Sequence, residues 1–234
     1  MKDLLKEIVE NKRVALVGPS PHLENKRLGS LIDSYDVICR LNEVHPKNLE
    51  HDYGTRTDIA FWSVHDAALP HFKQMIKEDP QKTQKIKLIV CPRNSLHVTP
   101  FHEGGFTKER NIFKNYNKLG IDNSFFHIGD ELNQKIESSI GCHPTIGALS
   151  ILCLLNYNIE KLYICGMSFF ETKEKYNNST KNTLIRSNNG IPPKCLNPKP
   201  GHNVKKEVDY LKQFFVSCKN VDGDYYFKKI FKNN

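Results

Sequence analysis

Six short runs of apolar and β-branched residues recur along the chain with helical patterns between them: VALV at 14, DVICRL at 36, DIAFW at 58, KLIVC at 87, SFFHI at 124 and KLYICG at 161. Runs that are apolar without alternation belong to strands covered on both faces, and strands separated by helices pair in parallel. The helical stretches are read over 3–10, 67–76, 108–119, 145–156 and 203–215. The alternation predicts an α/β fold: a single Rossmann-like domain over 1–234, with a mostly parallel sheet and helices on both faces. Residues 167–200 are polar and contain three Pro-bearing clusters, which reads as a long lid loop.

Such a sheet holds its ligand at the carboxyl ends of its strands, so the turns after the runs are where chemistry is sought. The first turn, Gly18-Pro19-Ser20, fits neither GxGxxG nor GxxxxGK, which argues against a dinucleotide or a P-loop triphosphate. Two readings stand: Gly18 lets the backbone approach a smaller phosphate ligand to which Ser20 offers a hydroxyl, or this is a plain strand-to-loop turn. Asn42, just past the second run, can donate to and accept from a phosphate or ribose, or can serve as a turn residue. In HPTIGALSILCLL, Pro144 suits a first turn and Thr145 a cap, so the amides of Thr145, Ile146 and Gly147 either face an anion or open a capped core helix. His202 opens another helical stretch after the long loop, as a general base or as a structural histidine, with Glu207 to orient it or tie down the helix start.

Charge and composition narrow the partners. The 34 Lys and Arg against 26 Asp and Glu give +8, which suits an anionic ligand, a nucleic acid, an acidic membrane or a solvated lysine-rich surface. The opening MKDLLKEIVE is charged and amphipathic, and no run reaches the roughly 20 apolar residues of a membrane span. A cytoplasmic protein is expected. Seven cysteines without a CxxC pair give neither zinc-ribbon spacing nor a disulfide framework, and Cys39, Cys91, Cys153 and Cys165 read as buried thiols. Asp222-Gly223-Asp224 has the form of a metal-binding DxD motif, yet Asp-Gly is also a strong turn signal before a terminal strand. The tail YYFKKIFKNN reads as that strand, or as a basic patch for peripheral contact with an acidic membrane.

Taken together, the pieces resemble the sialyltransferases over most of the chain. VALVGPSPHLENKRLGSLIDSYDVICRLNEVHP with DYGTRTDIAFW is similar to the large sialylmotif of glycosyltransferase family 29; HPTIGALSILCLLNYNIEKLYICGMSF resembles its small sialylmotif, and HNVKKE its His-x4-Glu motif. The second half is also similar to the bacterial family 42, through Thr145-Ile146-Gly147, Gly166, Tyr176 and Gly201-His202 in order. The resemblance implies a GT-A-like variant of the fold. It implies that Gly18, Ser20 and Asn42 hold the cytidine monophosphate of a CMP-sugar, that Thr145, Ile146 and Gly147 meet the sugar carboxylate or phosphate, and that Gly166 and Met167 line the base. Tyr176 would bind the phosphate and His202 would be the base.

The activity so implied is an inverting transfer, without metal or other cofactor, of sialic acid or a related ulosonic acid to a hydroxyl of a glycan or glycolipid acceptor. The chain departs from the pattern at Pro19, where the families place Asn; at Ile146, which lacks a hydroxyl; at His143, where family 42 tends to carry Arg; and at Phe170, in place of a tyrosine. The paired cysteines of animal family 29 enzymes are missing as well. The alternatives are a transferase of Kdo or another nonulosonic acid, and a catalytically silent nucleotide-binding or nucleic-acid-binding protein.

Overall fold

A computed structural model describes residues 3–42, 48–98, 107–109, 111–169 and 203–232. Each of the six apolar runs forms a strand: β1 (Arg13–Val17), β2 (Val37–Leu41), β3 (Ile59–Phe61), β4 (Leu88–Cys91), β7 (Ser124–His127) and β8 (Lys161–Cys165). Between β4 and β7 lies a short antiparallel pair, β5 (Leu96–Val98) and β6 (Thr107–Glu109). A three-residue strand, β9 (Val221–Gly223), completes a seven-stranded sheet of order β7-β4-β3-β2-β1-β8-β9 in which every pairing is parallel.

Both faces of this sheet are covered, which is why its strands read as unbroken apolar runs. In β1, Val14 and Leu16 enter one core and Ala15 and Val17 the other. The first core takes Cys39, Phe61 and Val90 from the sheet and is closed by the helices Leu4–Val9, Asp130–Ile140, Ile146–Leu154 and Val204–Val216. In Ile146–Leu154 every residue from Ala148 to Leu154 is buried, the mark of a helix enclosed on all sides. The opposite face is covered by Gly29–Asp33, Leu69–Glu78 and Ile112–Asn117, which insert Ile32, Phe72, Ile112 and Tyr116. Among the described residues no helix is long and apolar enough to cross a membrane.

The tail departs from its sequence reading. Val221–Gly223 is itself the last strand, and YYFKKIF folds as a helix, Tyr225–Phe231. The side chain of Asp224 accepts the Phe227 amide, and this cap sets a helical register that buries Phe227 and Ile230, overriding the β-preference of the aromatics. Residues 170–200 of the expected lid, with Tyr176, lie outside the described residues, as does His202.

Along the sheet the chain runs outward from β1 through β2, β3, β4 and β7, then returns to the other side of β1 with β8 and β9, so the topological switch point falls between β1 and β8. There Gly18 and Gly166 meet backbone to backbone. The Gly18 amide donates to Cys165 O at 2.8 Å and the Ser20 amide to Gly166 O at 2.9 Å. A methyl group on Gly18 would lie 2.4 Å from Gly166 O; one on Gly166, whose φ is +67°, would lie 2.3 Å from Gly18 O. Gly166→Ala therefore combines a left-handed backbone with a collision and is expected to lower unfolding stability by about 2–4 kcal/mol in urea titrations. Gly120→Ala has the same φ with nothing within 4 Å of the new methyl, so it is expected to cost only about 1–2 kcal/mol.

Candidate functional site at the switch point

The side chain of Met167, first residue after the Gly18–Gly166 junction, joins that junction to the helix Ile146–Leu154. Its Cγ lies 2.5 Å from where a methyl on Gly18 would be, and its Sδ 3.2 Å from one on Gly147. Leu41, at the end of β2, lies 3.7 Å from that same point on Gly147. The ends of β1, β2 and β8 and the start of Ile146–Leu154 thus share one site, which brings together Gly18, Asn42, Ile146, Gly147, Gly166 and Met167. The openness of Gly18 is filled by Gly166, so it serves the junction itself.

Asn42 adopts φ 55°, donates its amide to Phe61 O at 2.9 Å and accepts from His71 Nε2 at 3.3 Å on its own carbonyl. Its side-chain Oδ1 is buried and finds no hydrogen-bond partner among the described residues. A buried acceptor left unpaired costs about 1–3 kcal/mol, which a donor on a ligand would remove. Ser20 differs: its side chain is inside the protein, Oγ lies 2.9 Å from His22 Nδ1, and its carbonyl accepts the Tyr53 hydroxyl at 2.7 Å.

Thr145 caps its helix by accepting the Ala148 amide at 3.2 Å. Its own amide and hydroxyl are held by the carboxyl of Glu207, at 3.0 and 2.7 Å. Among the described residues nothing is shown accepting from the first-turn amides of Ile146 and Gly147, which stand at the positive end of the helix, where an anion is stabilised. Glu207, 3% exposed, ties down the helix that begins at Ile146 rather than its own. Its own helix, Val204–Val216, is capped by Asn203, which accepts the Lys206 amide at 3.0 Å. Further ties join the two helix starts: Lys206 Nζ donates to Gly141 O at 3.0 Å, and Cys142 Sγ to Asn203 O at 3.8 Å.

A second polar cluster escaped the sequence reading. Arg93, just after β4, donates through Nη1 to Pro144 O at 2.7 Å and to His143 Nε2 at 2.9 Å. An arginine can only donate, so Nε2 accepts and Nδ1 carries the proton given to Glu137 Oε1 at 2.5 Å. The cluster braces the loop that leads into Thr145. The signal was present: Arg93 stands in the turn after KLIVC, where the same search of strand ends leads.

Residues 5–157 match the model of glycosyltransferase family 29 (sialyltransferase). The chain belongs to that family. It is 24% identical over 214 residues to a human CMP-N-acetylneuraminate-beta-1,4-galactoside alpha-2,3-sialyltransferase, covering 86% of this chain and 54% of that one. It is 35% identical over 219 residues to a rat CMP-N-acetylneuraminate-beta-galactosamide-alpha-2,3-sialyltransferase 4, covering 88% of this chain and 62% of that one. The chain therefore spans a little over half the length of these curated relatives. Its fold is shared with the monofunctional alpha-2,3-sialyltransferase Cst-I of Campylobacter jejuni, with a TM-score of 0.59 at 17% identity over 96% of this chain and 82% of that one. Gly18, Ser20, Asn42, Thr145, Ile146 and Gly147 lie within the family 29 match; Gly166, Met167, Tyr176 and His202 follow it.

In this family 29 chain the buried carboxyl of Glu207 gives the site a titration of its own. Burial pushes it up from 4.5 to about 7, against the two bonds from Thr145 and the charge of Arg93. The unfolded chain gives up this proton near pH 4.5 and the folded one near 7. Folding therefore takes up a proton between those values, and stability falls as the pH rises through the window, by about 3 kcal/mol in all. Glu207→Gln retains an acceptor for the Thr145 amide without the charge. Urea midpoints from pH 5 to 8 are expected to fall less steeply in this variant than in the wild type.

Proposed function

We propose that the protein transfers sialic acid or a related ulosonic acid from a CMP-sugar to a hydroxyl of an acceptor glycan, by direct displacement with inversion and without a metal. The observation that carries this reading is that, in a family 29 chain, a buried Asn42 carbonyl without a partner among the described residues follows β2, whose Leu41 packs by Gly147 at the start of the capped helix, beside the switch point of a parallel sheet. In this reading Asn42 Oδ1 accepts from a hydroxyl or amino group of the cytidine, the amides of Ile146 and Gly147 hold the phosphate or the sugar carboxylate, and Gly166 and Met167 border the base.

The chemistry asks little of the protein. CMP is a good leaving group, and positive charge developing on the anomeric carbon is eased by the carboxylate that carbon bears. The bond from this carbon to the phosphate oxygen breaks as the acceptor oxygen adds from the opposite face, which inverts the centre. His202, one residue before Asn203, takes the acceptor proton, and the Tyr176 hydroxyl with the first-turn amides steadies the departing phosphate. Ile146 in place of a hydroxyl residue leaves the sugar carboxylate with one donor fewer, and because sialic acid and Kdo-like acids share that carboxylate the change leaves both within the reading.

His202→Ala is expected to lower turnover by about 10²- to 10⁴-fold while CMP affinity by calorimetry stays near wild type; turnover within a few-fold of wild type removes the base role. Tyr176→Phe is expected to reduce kcat more than CMP affinity. EDTA is expected to leave CMP release from CMP-sialic acid unchanged. A wild-type protein that binds CMP yet releases none from the donor would be a silent binder.

A further inference from the structure

A buried chain of hydrogen bonds runs from the turn after β1 to the start of the helix Tyr225–Phe231. Ser20 Oγ lies 2.9 Å from His22 Nδ1, and His22 Nε2 lies 2.8 Å from Asp224 Oδ2; the three residues are 1%, 9% and 6% exposed. The same Oδ2 accepts the Gly166 amide at 2.8 Å, while Oδ1 accepts the Phe227 amide at 3.0 Å. An ionised carboxylate can only accept, so His22 Nε2 carries a proton. With the ring neutral, Nδ1 then accepts the Ser20 hydroxyl proton. The ring of Tyr226 packs against His22 at 4.4 Å between centroids.

This places both carboxylate oxygens of Asp224 in structural use. The other acid of the DxD sequence, Asp222, is half-exposed and meets Lys228 at 3.6 Å. Gly166 is gripped twice, its amide by Asp224 and its carbonyl by the Ser20 amide, and so is held in its left-handed conformation against Gly18. Hydrogen bonds to a buried carboxylate are among the strongest in a protein, and here two of them fix the two turns that meet at the switch point.

We infer that Asp224, acting through the Gly166 amide and His22, is a positioning residue for the CMP-sugar, setting donor affinity from an element that does not touch the donor. The inference rests on the CMP-sugar reading above. Asp224→Asn keeps the oxygen that caps Phe227 but turns a donor toward the Gly166 amide and His22. Its KM for CMP-sialic acid and its calorimetric Kd for CMP are expected to rise about tenfold or more, with kcat within about threefold of wild type.

His22→Gln leaves the carboxylate on Gly166 and on the helix cap. It provides a second measurement should Asp224→Asn not fold, with CMP Kd expected to rise about threefold. The double variant is expected to bind no worse than Asp224→Asn alone, because the two residues act as one unit. Asp222→Asn is expected to bind and turn over as wild type does. Wild-type CMP affinity in both single variants, or losses that add in the double variant, would overturn the inference while leaving the CMP-sugar reading intact. A wild-type protein that fails to bind CMP would overturn both.

Discussion

The arrangement at the switch point depends on a close approach of two peptide groups, at Gly18 and Gly166. Neither position accepts a side chain, because each α-carbon faces the other's carbonyl. This lets β1 and β8 leave the sheet together and keeps their exit turns in register by the bonds Gly18 to Cys165 and Ser20 to Gly166. A parallel sheet opens a crevice wherever the chain reverses its direction of travel across it. Here the crevice is narrowed to a backbone-lined floor with Met167 across it, and the helix that begins at Ile146 is brought up to its edge.

The other end of the arrangement is the pair of helix starts at Asn203 and Thr145. Glu207 is placed by the first turn of one helix and spends both oxygens on the capping residue of the other. Burial and two short hydrogen bonds make this tie directional, whereas an exposed ion pair is weak and pliable. Arg93, His143 and Glu137 brace the approach to the same capping residue from the side of β4. Among the described residues, the Thr145 and Ala148 amides of the first turn are spent on Glu207 and on the Thr145 cap, and those of Ile146 and Gly147 have no partner shown.

The sheet was legible because every strand but one lies in a run of consecutive apolar residues; even β3, three residues long, continues into the buried Trp62. Val221–Gly223, equally short, has one apolar residue before Asp-Gly and so shows no run, and its pairing with β8 is fixed by tertiary contact. The helix Asp130–Ile140 carried a readable signal, with Leu132, Ile136 and Ile140 four apart between Gly129 and Gly141. At the site, residue types were legible and pairings were not. Thr145, Gly147, Asn42 and Gly166 stand out by their place after strands or at a helix start. That Ser20 turns inward to His22, and that Asp224 reaches back to Gly166, are contacts between distant segments that no local spacing encodes. Arg40, conspicuous inside an apolar run, donates to the carbonyls of Tyr53 and Arg56 and to Thr57, and so fixes the loop before β3.

Net charge proved a poor pointer to the site. Lys161, Lys219, Lys228 and Lys232 line a groove at the beginning of β8 and β9, the opposite end of the sheet from the switch point. At the switch point an anion would meet fixed dipoles, the amides of Ile146 and Gly147, which need no counterion displaced and no long side chain ordered. Such a site is easily spoiled by a neighbouring negative charge, and Glu207 is bonded to Thr145, the residue just before Ile146. Burial lessens this difficulty: a carboxyl pushed up to about 7 is about half protonated at pH 7 and mostly protonated below it, so the charge opposing an anion at the helix start is roughly halved at neutrality and shrinks as the pH falls. The burial that lowers stability as the pH rises from 4.5 to about 7 thus also lessens the charge facing an anion at the helix start, most fully on the acid side of neutrality.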